Sequence, residues 1–199
     1  MTELDAMNML LRLVGSSPVA SLDSGHPDAA NARTTLRRLL RQSQKRGWWF
    51  NQDYQVYYQP QPDTHIYVHE SICLLIMQDS TIVQRWDKLY DKCNQTYSFY
   101  ESKLALRQVT ALAWDDVPET FQEYVAYFAA VQYVRDELED PDKQQELKES
   151  TAQAFNDVKK LDLEAGRYNI FHHQRTLQAR AGVQPYARNN KRFYGDPDK

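Results

Sequence analysis

Apolar residues recur every three or four positions at the start of the chain, which predicts an amphipathic helix. Thr2 and Asp5 have the spacing of a capping box, and Gly15 is typical of a helix end. The apolar stripe of this first helix consists of Leu4, Met7, Leu11 and Val14.

A second helical pattern runs from about Pro27 to Arg46 and has two opposite faces. Pro27 suits the first helical turn, and Gly47 suits the left-handed residue after the helix end. The apolar face consists of Ala29, Ala32, Leu36, Leu39, Leu40 and Ser43. The opposite face is basic and consists of Arg33, Arg37, Arg41 and Lys45, with Arg38 nearby.

Between residues 48 and 110 the pattern changes to short runs separated by turn residues, which predicts β-structure. In the first run, the alternating apolar positions are Phe50, Tyr54, Val56 and Tyr58. Residues 66–68 predict a second strand, and residues 82–85 and 88–90 predict a hairpin. The remaining candidate strands are residues 96–100 and 103–109.

Helical periodicity returns near Pro118, where acidic residues favour a helix start. This third helix is apolar over most of its surface, which predicts a central position in the core. Its apolar residues are Phe121, Tyr124, Val125, Phe128, Val131, Val134 and Leu138. A fourth helix starts at Asp140-Pro141 and ends at Gly166. Its seam consists of Leu147, Thr151, Ala154, Val158, Leu161 and Ala165.

The last segment, 167–199, has no helical period and carries seven cationic residues against two acidic ones, a net charge of +5. Because the whole chain carries −3, residues 1–166 carry −8. The patterns together predict an α+β fold. Its parts are a bundle of about four helices from residues 1–47 and 111–166, a small antiparallel β domain inserted at 48–110, and an extended basic C-terminal arm at 167–199.

Composition narrows the class of protein. The acidic start of the chain lacks the layout of a signal peptide, and the aliphatic run at 72–77 is too short to span a bilayer. A soluble protein that starts in a cytoplasm is therefore expected. Cys73 and Cys93 lack metal-ligand spacing and are expected to be free thiols.

Four stretches occur in a distinctive order: NMLLRLVGSSPVASL, DAANARTTLRRLLRQSQKRGWWFN, VQRWDKLYD and WDDVPETFQEYVAYFAAVQYV. In this combination the chain resembles the tail tubular protein A family, the head-to-tail adaptor or gatekeeper proteins of short-tailed podovirus phages. The resemblance covers roughly Ala6 to Phe171. None of the four stretches is a catalytic motif.

The resemblance implies a structural virion protein of the tail, without enzymatic activity or cofactor, that is assembled in the cytoplasm of a host bacterium. Proteins of this family form a twelve-membered ring under the portal protein. The ring receives the tail nozzle protein, which is similar to tail tubular protein B, on its other side. It lines the channel for DNA ejection and contacts the passing DNA transiently and non-specifically. The helical part is implied to face the portal, and the β part the nozzle.

The hairpin departs from the family pattern, because relatives turn through glycines where this chain has Trp86 and Asp87. A tight two-residue turn needs positive φ, which tryptophan resists. Two interpretations stay open: a longer or different turn, or an exposed Trp86 that contacts the nozzle.

The basic face of the second helix has three interpretations. It is a solvated surface, an ion-pairing surface for a neighbouring subunit, or a DNA contact in the channel. Strong phosphate binding would retard ejection, so the pairing of Arg37 and Arg41 with a neighbouring subunit is preferred to DNA contact. The arm carries aromatic residues for the portal or a neighbouring subunit, and the predicted contacts are Tyr168, Phe171, Phe193 and Tyr194.

Three further patterns have simpler explanations beside their functional ones. Trp48 and Phe50 are expected in the core rather than in a base-stacking platform. His65 and His69 flank a predicted strand and lack a third ligand, so a metal site is not expected. Acidic residues near the third helix suggest a carboxylate-dependent hydrolase of cell-envelope glycans as the alternative function, although acids favour any helix start. These residues are Asp115, Asp116, Glu119 and Glu123.

Overall fold

The computed structural model describes residues 1–76, 81–138 and 140–165 and confirms the α+β class. The α-helices in the described residues are α1 (Glu3–Leu13), α2 (Pro27–Gln44), α3 (Glu119–Glu137) and α4 (Pro141–Ala165), and a 3-10 helix spans Trp114–Asp116. The strands there are β1 (Gln52–Tyr58), β2 (Ile72–Ile76), β3 (Ile82–Arg85), β4 (Lys88–Asp91) and β5 (Leu104–Thr110). Residues 1–160 form one compact unit, and all contacts described below lie within it.

The predicted cap of α1 is confirmed. The backbone N–H of Asp5 donates to Thr2 Oγ1 over 3.1 Å, and the backbone N–H of Thr2 donates to Asp5 Oδ2 over 3.1 Å. These bonds satisfy N–H groups that the helix itself leaves without partners. Gly15 follows the helix at φ +80°, as the sequence pattern predicts.

The central position predicted for α3 is also confirmed. This helix packs against both α1 and α2 and presents buried side chains in several directions. The phenol of Tyr133 donates to the carbonyl oxygen of Asp28 over 3.1 Å, and burial raises the pKa of Tyr133 to about 12. The buried apolar residues of α3 are Phe121, Val125, Ala126, Ala129, Ala130, Val131, Tyr133 and Val134.

The seam of α4 is confirmed over part of its length. Leu147, Ala154 and Val158 are buried, and Thr151 between them is half-buried. Ala165 is exposed, so the prediction was wrong for this last position.

The larger sheet is antiparallel with the strand order β1-β5-β2, and β3 pairs with β4 in a separate two-stranded sheet. A register shift between Asp53 and Val56 interrupts the β1–β5 ladder, and Gln55 has a φ of 58° within it. The predicted alternation of Tyr54 with Val56 was therefore wrong. A bulge adds one residue on one strand and turns a side chain to the other face.

Two predicted strands are reduced to single bridges. Tyr67 pairs with Lys88 in the 66–68 segment, and Thr96 pairs with Asp91 in the 96–100 segment. In the sequence pattern, β2 is visible only as an aliphatic run and was not predicted as a strand. The apolar residues of these segments nevertheless become buried, as their pattern indicates. They belong to a second hydrophobic cluster that consists of Ile66, Val68, Ile72, Leu89, Phe99 and Leu106.

A compact corner joins α2 to β1. Gly47 has a φ of +75°, and a Cβ atom there would lie 2.9 Å from Gln52 Nε2, so a larger residue would be strained in two ways. The buried Asn51 side chain receives the backbone N–H of Trp48 over 2.7 Å and donates to the carbonyl oxygen of Thr110 over 3.1 Å. These contacts hold together the two places where the chain enters and leaves the β segment.

Candidate interaction surface

Exposed aromatic side chains are concentrated in the β segment, residues 48–110. Apolar residues that are both large and exposed number eight in the described part of the chain, and six of them are aromatic residues of this segment. The six are Tyr54, Tyr57, Tyr67, Trp86, Tyr97 and Tyr100. Exposed aromatic surface is typical of protein–protein interfaces, where tyrosine and tryptophan are enriched.

Trp86 is the most exposed of these residues, at 91%, and lies at the tip of the β3–β4 hairpin. Because Arg85 pairs with Lys88, the turn has only two residues, Trp86 and Asp87. Trp86 has a φ of 58° and Asp87 has no positive φ, which is the φ pattern of a type II′ turn. The expectation of a longer or different turn was therefore wrong: Trp86 adopts positive φ in a tight turn despite its cost, and its side chain is exposed.

Hydrogen bonds from neighbouring segments hold this turn. Gln84 Nε2 donates to the carbonyl oxygen of Trp86 over 2.9 Å. The backbone N–H of Val68 donates to the carbonyl oxygen of Asp87 over 2.7 Å. The turn is therefore fixed through its backbone, while the indole stays free of packing.

A cleft of about 500 Å³ lies beside the turn and brings together three residues that the sequence had suggested for different partners. These are Arg41, Trp86 and Asp87, and the other lining residues are Val68, His69, Glu70, Ile72 and Gln84. Arg41 Nη2 donates to the carbonyl oxygen of Glu70 over 2.7 Å, which ties α2 to the β segment.

Arg37 has an acidic partner in its own chain. Its Nε lies 2.8 Å from Glu3 Oε1, and the Glu3 side chain is 15% exposed. Arg33 Nε lies 3.5 Å from the same oxygen, and Arg33 Nη1 lies 2.6 Å from Asp23 Oδ1. The hydrogen bond with Asp23 is the main cause of a raised pKa for Arg33. The intersubunit role of Arg37 stays a prediction, and any partner must compete with Glu3.

Cationic side chains cover several of the exposed tyrosine rings. Arg107 lies 4.5 Å from the ring centroid of Tyr54, and Lys103 lies 4.6 Å from that of Tyr57. Beside the smaller sheet, Lys88 lies over the exposed ring of Tyr67, and Arg85 lies over the partly buried ring of Tyr90. The surface of the β segment therefore combines aromatic area with positive charge.

Comparison with known proteins identifies the family of the chain. A family described as "Tail tubular protein" matches residues 4–179. The chain belongs to the tail tubular protein family. It is 31% identical over 141 residues to "Tail tubular protein A" of Klebsiella phage KP34, an alignment that covers 69% of this chain and 74% of that relative.

Membership of the tail tubular protein family identifies a structural component of a phage tail, as the resemblance had implied. In residues 1–76, 81–138 and 140–165, no helix combines the length and apolar character that a bilayer crossing needs.

The aromatic residues after α2 lie in or against the core of this tail tubular protein. Trp48 is 1% exposed, its Nε1 donates to the carbonyl oxygen of Ser43, and its ring contacts Phe121 edge-on at 5.6 Å. Phe50 is partly buried against the same Phe121 at 4.9 Å. Trp48 is therefore a core residue, which confirms the structural interpretation over a base-stacking platform.

The two histidines have separate local partners. His65 Nδ1 lies 3.0 Å from Asp63 Oδ2, and His69 Nδ1 lies 2.9 Å from Ser71 Oγ. Tyr67 also donates to Asp63, and this bond is the main cause of the lowered pKa of Asp63. Within the described ranges, no three His, Cys, Asp or Glu side chains form a possible metal site.

The four acids of the hydrolase hypothesis lie on the surface around the 3-10 helix and the start of α3, and all four side chains are exposed. Glu119 Oε1 lies 3.2 Å from the Met1 amino group. The remaining predicted contacts, Tyr168, Phe171, Phe193 and Tyr194, lie outside the described residues.

Proposed function

We propose that this tail tubular protein is the adaptor ring between the portal and the tail nozzle and that it lines the DNA ejection channel. The observation that carries this proposal is the exposed aromatic surface of the β segment, with Trp86 at its tip. A single subunit leaves this surface uncovered, and a tail joint supplies protein partners to cover it.

Trp86 and Asp87 are proposed to contact the nozzle protein. A non-glycine residue with positive φ costs roughly 1–2 kcal/mol, and glycine would avoid this cost in a type II′ turn. A strained residue with a 91% exposed side chain contributes little to its own fold. Binding to a partner gives a reason for a tryptophan at this position.

Each of the three predicted domains is assigned to a different binding partner. Residues 1–47 and 111–166 form the helical portal-facing part, residues 48–110 form the nozzle-facing part, and residues 167–199 form an arm that binds the portal or a neighbouring subunit. The arm carries +5, so an acidic groove suits it. Deletion of residues 172–199 is expected to weaken co-sedimentation with portal while leaving the thermal transition nearly unchanged.

The basic face of α2 is proposed to add a contact between subunits in a twelve-fold ring. Arg37 and Arg41 would then bind acidic groups of the neighbour, either in place of or in addition to their partners in their own chain. Contact with passing DNA is transient and non-specific, because tight phosphate binding would slow transit. Assembly takes place in the cytoplasm of the host bacterium, and the finished ring belongs to the virion tail.

Electron microscopy of the purified protein mixed with the portal and nozzle proteins of its own phage tests the proposal. We expect a ring on the portal and recruitment of the nozzle only when that ring is present. A protein that leaves the portal bare, or a nozzle that binds the portal without it, would contradict the adaptor role.

The nozzle contact is tested with Trp86→Gly, which preserves the turn and removes the indole. Gln95→Gly is the matched control, because Gln95 is also exposed and has a φ of 52°. Trp86→Gly is expected to form the portal-bound ring and lose the nozzle, whereas Gln95→Gly retains both. Normal nozzle recruitment by Trp86→Gly would assign the contact to another surface.

A further inference from the structure

One face of the larger sheet carries two tyrosines and two cations in a fixed arrangement. On β5, Ala105 and Arg107 share a face with the preceding Lys103, because alternate residues of a strand point the same way. The opposite face of β5 carries Leu104 and Leu106, which pack in the second hydrophobic cluster. The face with the cations is therefore turned away from that cluster.

The β-bulge adds the two tyrosines to the same face. Tyr54 and Tyr57 are three residues apart, a spacing that places side chains on opposite faces of a regular strand. The extra residue in the bulge at Gln55 places both side chains on the same face, since Tyr54 contacts Arg107 and Tyr57 contacts Lys103. The tyrosines remain 66% and 55% exposed. Strain at Gln55 is thus coupled to the display of both rings.

The cations on this face favour an anionic partner. Arg107 Nη2 lies 3.3 Å from the Tyr54 hydroxyl oxygen, while its shielded Nε has no hydrogen-bond partner. Each cation lies over a ring, so the rings support the cationic heads rather than offering free stacking surfaces. A carboxylate placed between Lys103 and Arg107 would satisfy both charges.

Charge favours a protein partner over nucleic acid. Binding to DNA depends on many phosphate contacts, whereas this face offers two cations and residues 1–166 carry −8. Tyrosine and arginine together are typical of protein interfaces. A second copy of this chain itself supplies an acidic surface.

That acidic surface follows β5 at its other end. Asp115 and Asp116 lie in the 3-10 helix just after β5, and Glu119 and Glu123 begin α3. The side chains of Asp115, Asp116 and Glu123 form no hydrogen bond or ion pair within the described residues. Thr110 ends β5 three residues after Arg107 and seven residues after Lys103, so the cations lie roughly 10 and 23 Å along the strand from the end that leads to the acidic surface. Two different patches of opposite charge on one subunit suit a head-to-tail ring.

We propose that the face formed by Tyr54, Tyr57, Lys103 and Arg107 binds the acidic surface formed by Asp115, Asp116, Glu119 and Glu123 of the neighbouring copy. This contact rests on the proposed ring and names two surfaces that build it.

Charge exchange between subunits provides the test, with complete rings on the portal counted by electron microscopy as protein concentration rises. Lys103→Glu/Arg107→Glu is expected to need an at least about tenfold higher concentration than the wild type for half-maximal ring formation. Lys92→Glu/Lys160→Glu changes the net charge equally at exposed positions elsewhere and is expected to assemble normally. Asp115→Lys/Asp116→Lys is expected to show the same defect as the first variant.

A mixture of the two defective variants gives the decisive result. In an alternating ring, every contact then joins opposite charges, so the mixture is expected to restore assembly. Restoration also shows that both variants fold. Two defective variants without mutual rescue, or a normal ring from Lys103→Glu/Arg107→Glu, would overturn this contact while leaving the adaptor function intact. If Lys103→Glu/Arg107→Glu lost binding to duplex DNA but still formed rings, this contact would be overturned as well. A wild-type protein that forms neither a ring on the portal nor an oligomer in sedimentation would overturn both proposals.

Discussion

The side-chain amide of Gln44 forms two hydrogen bonds with the backbone of Leu112. Gln44 Nε2 donates to the Leu112 carbonyl oxygen over 3.0 Å, and the Leu112 N–H donates to Gln44 Oε1 over 2.7 Å. Gln44 is 1% exposed and ends α2, whereas Leu112 follows β5. This pair therefore joins the outgoing and returning chain at the base of the β segment.

Gln44→Ala is expected to lower the free energy of unfolding by about 2–4 kcal/mol, because two backbone groups lose their partners in a shielded position. Gln42→Ala on the exposed side of the same helix is the control and should change it by less than about 0.5 kcal/mol. Urea unfolding followed by circular dichroism measures both changes. Equal effects of the two substitutions would show that the Leu112 bonds contribute little.

Trp86→Gly is expected to be more stable than Trp86→Ala by about 1 kcal/mol. Both substitutions remove an indole that is 91% exposed, but alanine keeps the Cβ atom that disfavours the φ of 58°. Thermal unfolding of the two variants measures the difference. A more stable alanine variant would mean that the turn changes its φ angles when the indole is removed.

Arg37→Glu is expected to destabilise the monomer more than Arg38→Glu does. Arg37 lies 2.8 Å from Glu3, so reversal places two negative charges together, whereas Arg38 is exposed without a described side-chain partner. Because Arg37 is 57% exposed, the expected difference is only about 0.5–1 kcal/mol. Its measurement by urea unfolding should be repeated at 1 M salt, where the gap should narrow. A gap that salt leaves unchanged would exclude charge repulsion as its cause.

Asp5→Asn is expected to remove part of the acid sensitivity of the fold. Hydrogen bonds from Thr2 lower the pKa of Asp5 below its ordinary value of 3.8, so folding favours the carboxylate. Its stabilising effect is present above that value and is lost as pH falls through the lowered pKa. The difference in midpoint temperature between wild type and Asp5→Asn should thus shrink below pH 3.8. Asp115→Asn, which changes a side chain without a hydrogen bond in the described residues, is the control. If the difference in midpoint temperature between wild type and Asp5→Asn did not change with pH, the proposed role of the Asp5 carboxylate in acid sensitivity would be contradicted.

Hydrolase activity is not expected from the purified protein. The acids that motivated the alternative are exposed around a helix start, where carboxylates are favoured without catalysis. Peptidoglycan and oligosaccharide turnover measures this directly. Activity that disappears in folded Asp115→Asn or Glu119→Gln protein would restore the enzyme hypothesis.

Local pattern was sufficient to predict the helices, and the resemblance of four stretches of sequence was sufficient to name the family. The cap formed by Thr2 and Asp5, the turn of the chain at Gly47 and the all-round apolar surface of α3 depend on neighbours within a few residues. Such short-range preferences can be predicted from the sequence of a single segment. The β3–β4 hairpin was also predictable, because its two strands are adjacent in the chain.

Tertiary structure decided how the surface residues are combined. The bulge at Gln55 places Tyr54 and Tyr57 on one face, although their spacing in a regular strand indicates opposite faces. Glu3 meets Arg37 across 34 residues of sequence. These relationships depend on the register of paired strands and on the packing of distant helices. The periodicity of one segment predicts neither the register of paired strands nor the packing of distant helices, because both depend on contacts between residues far apart in the chain.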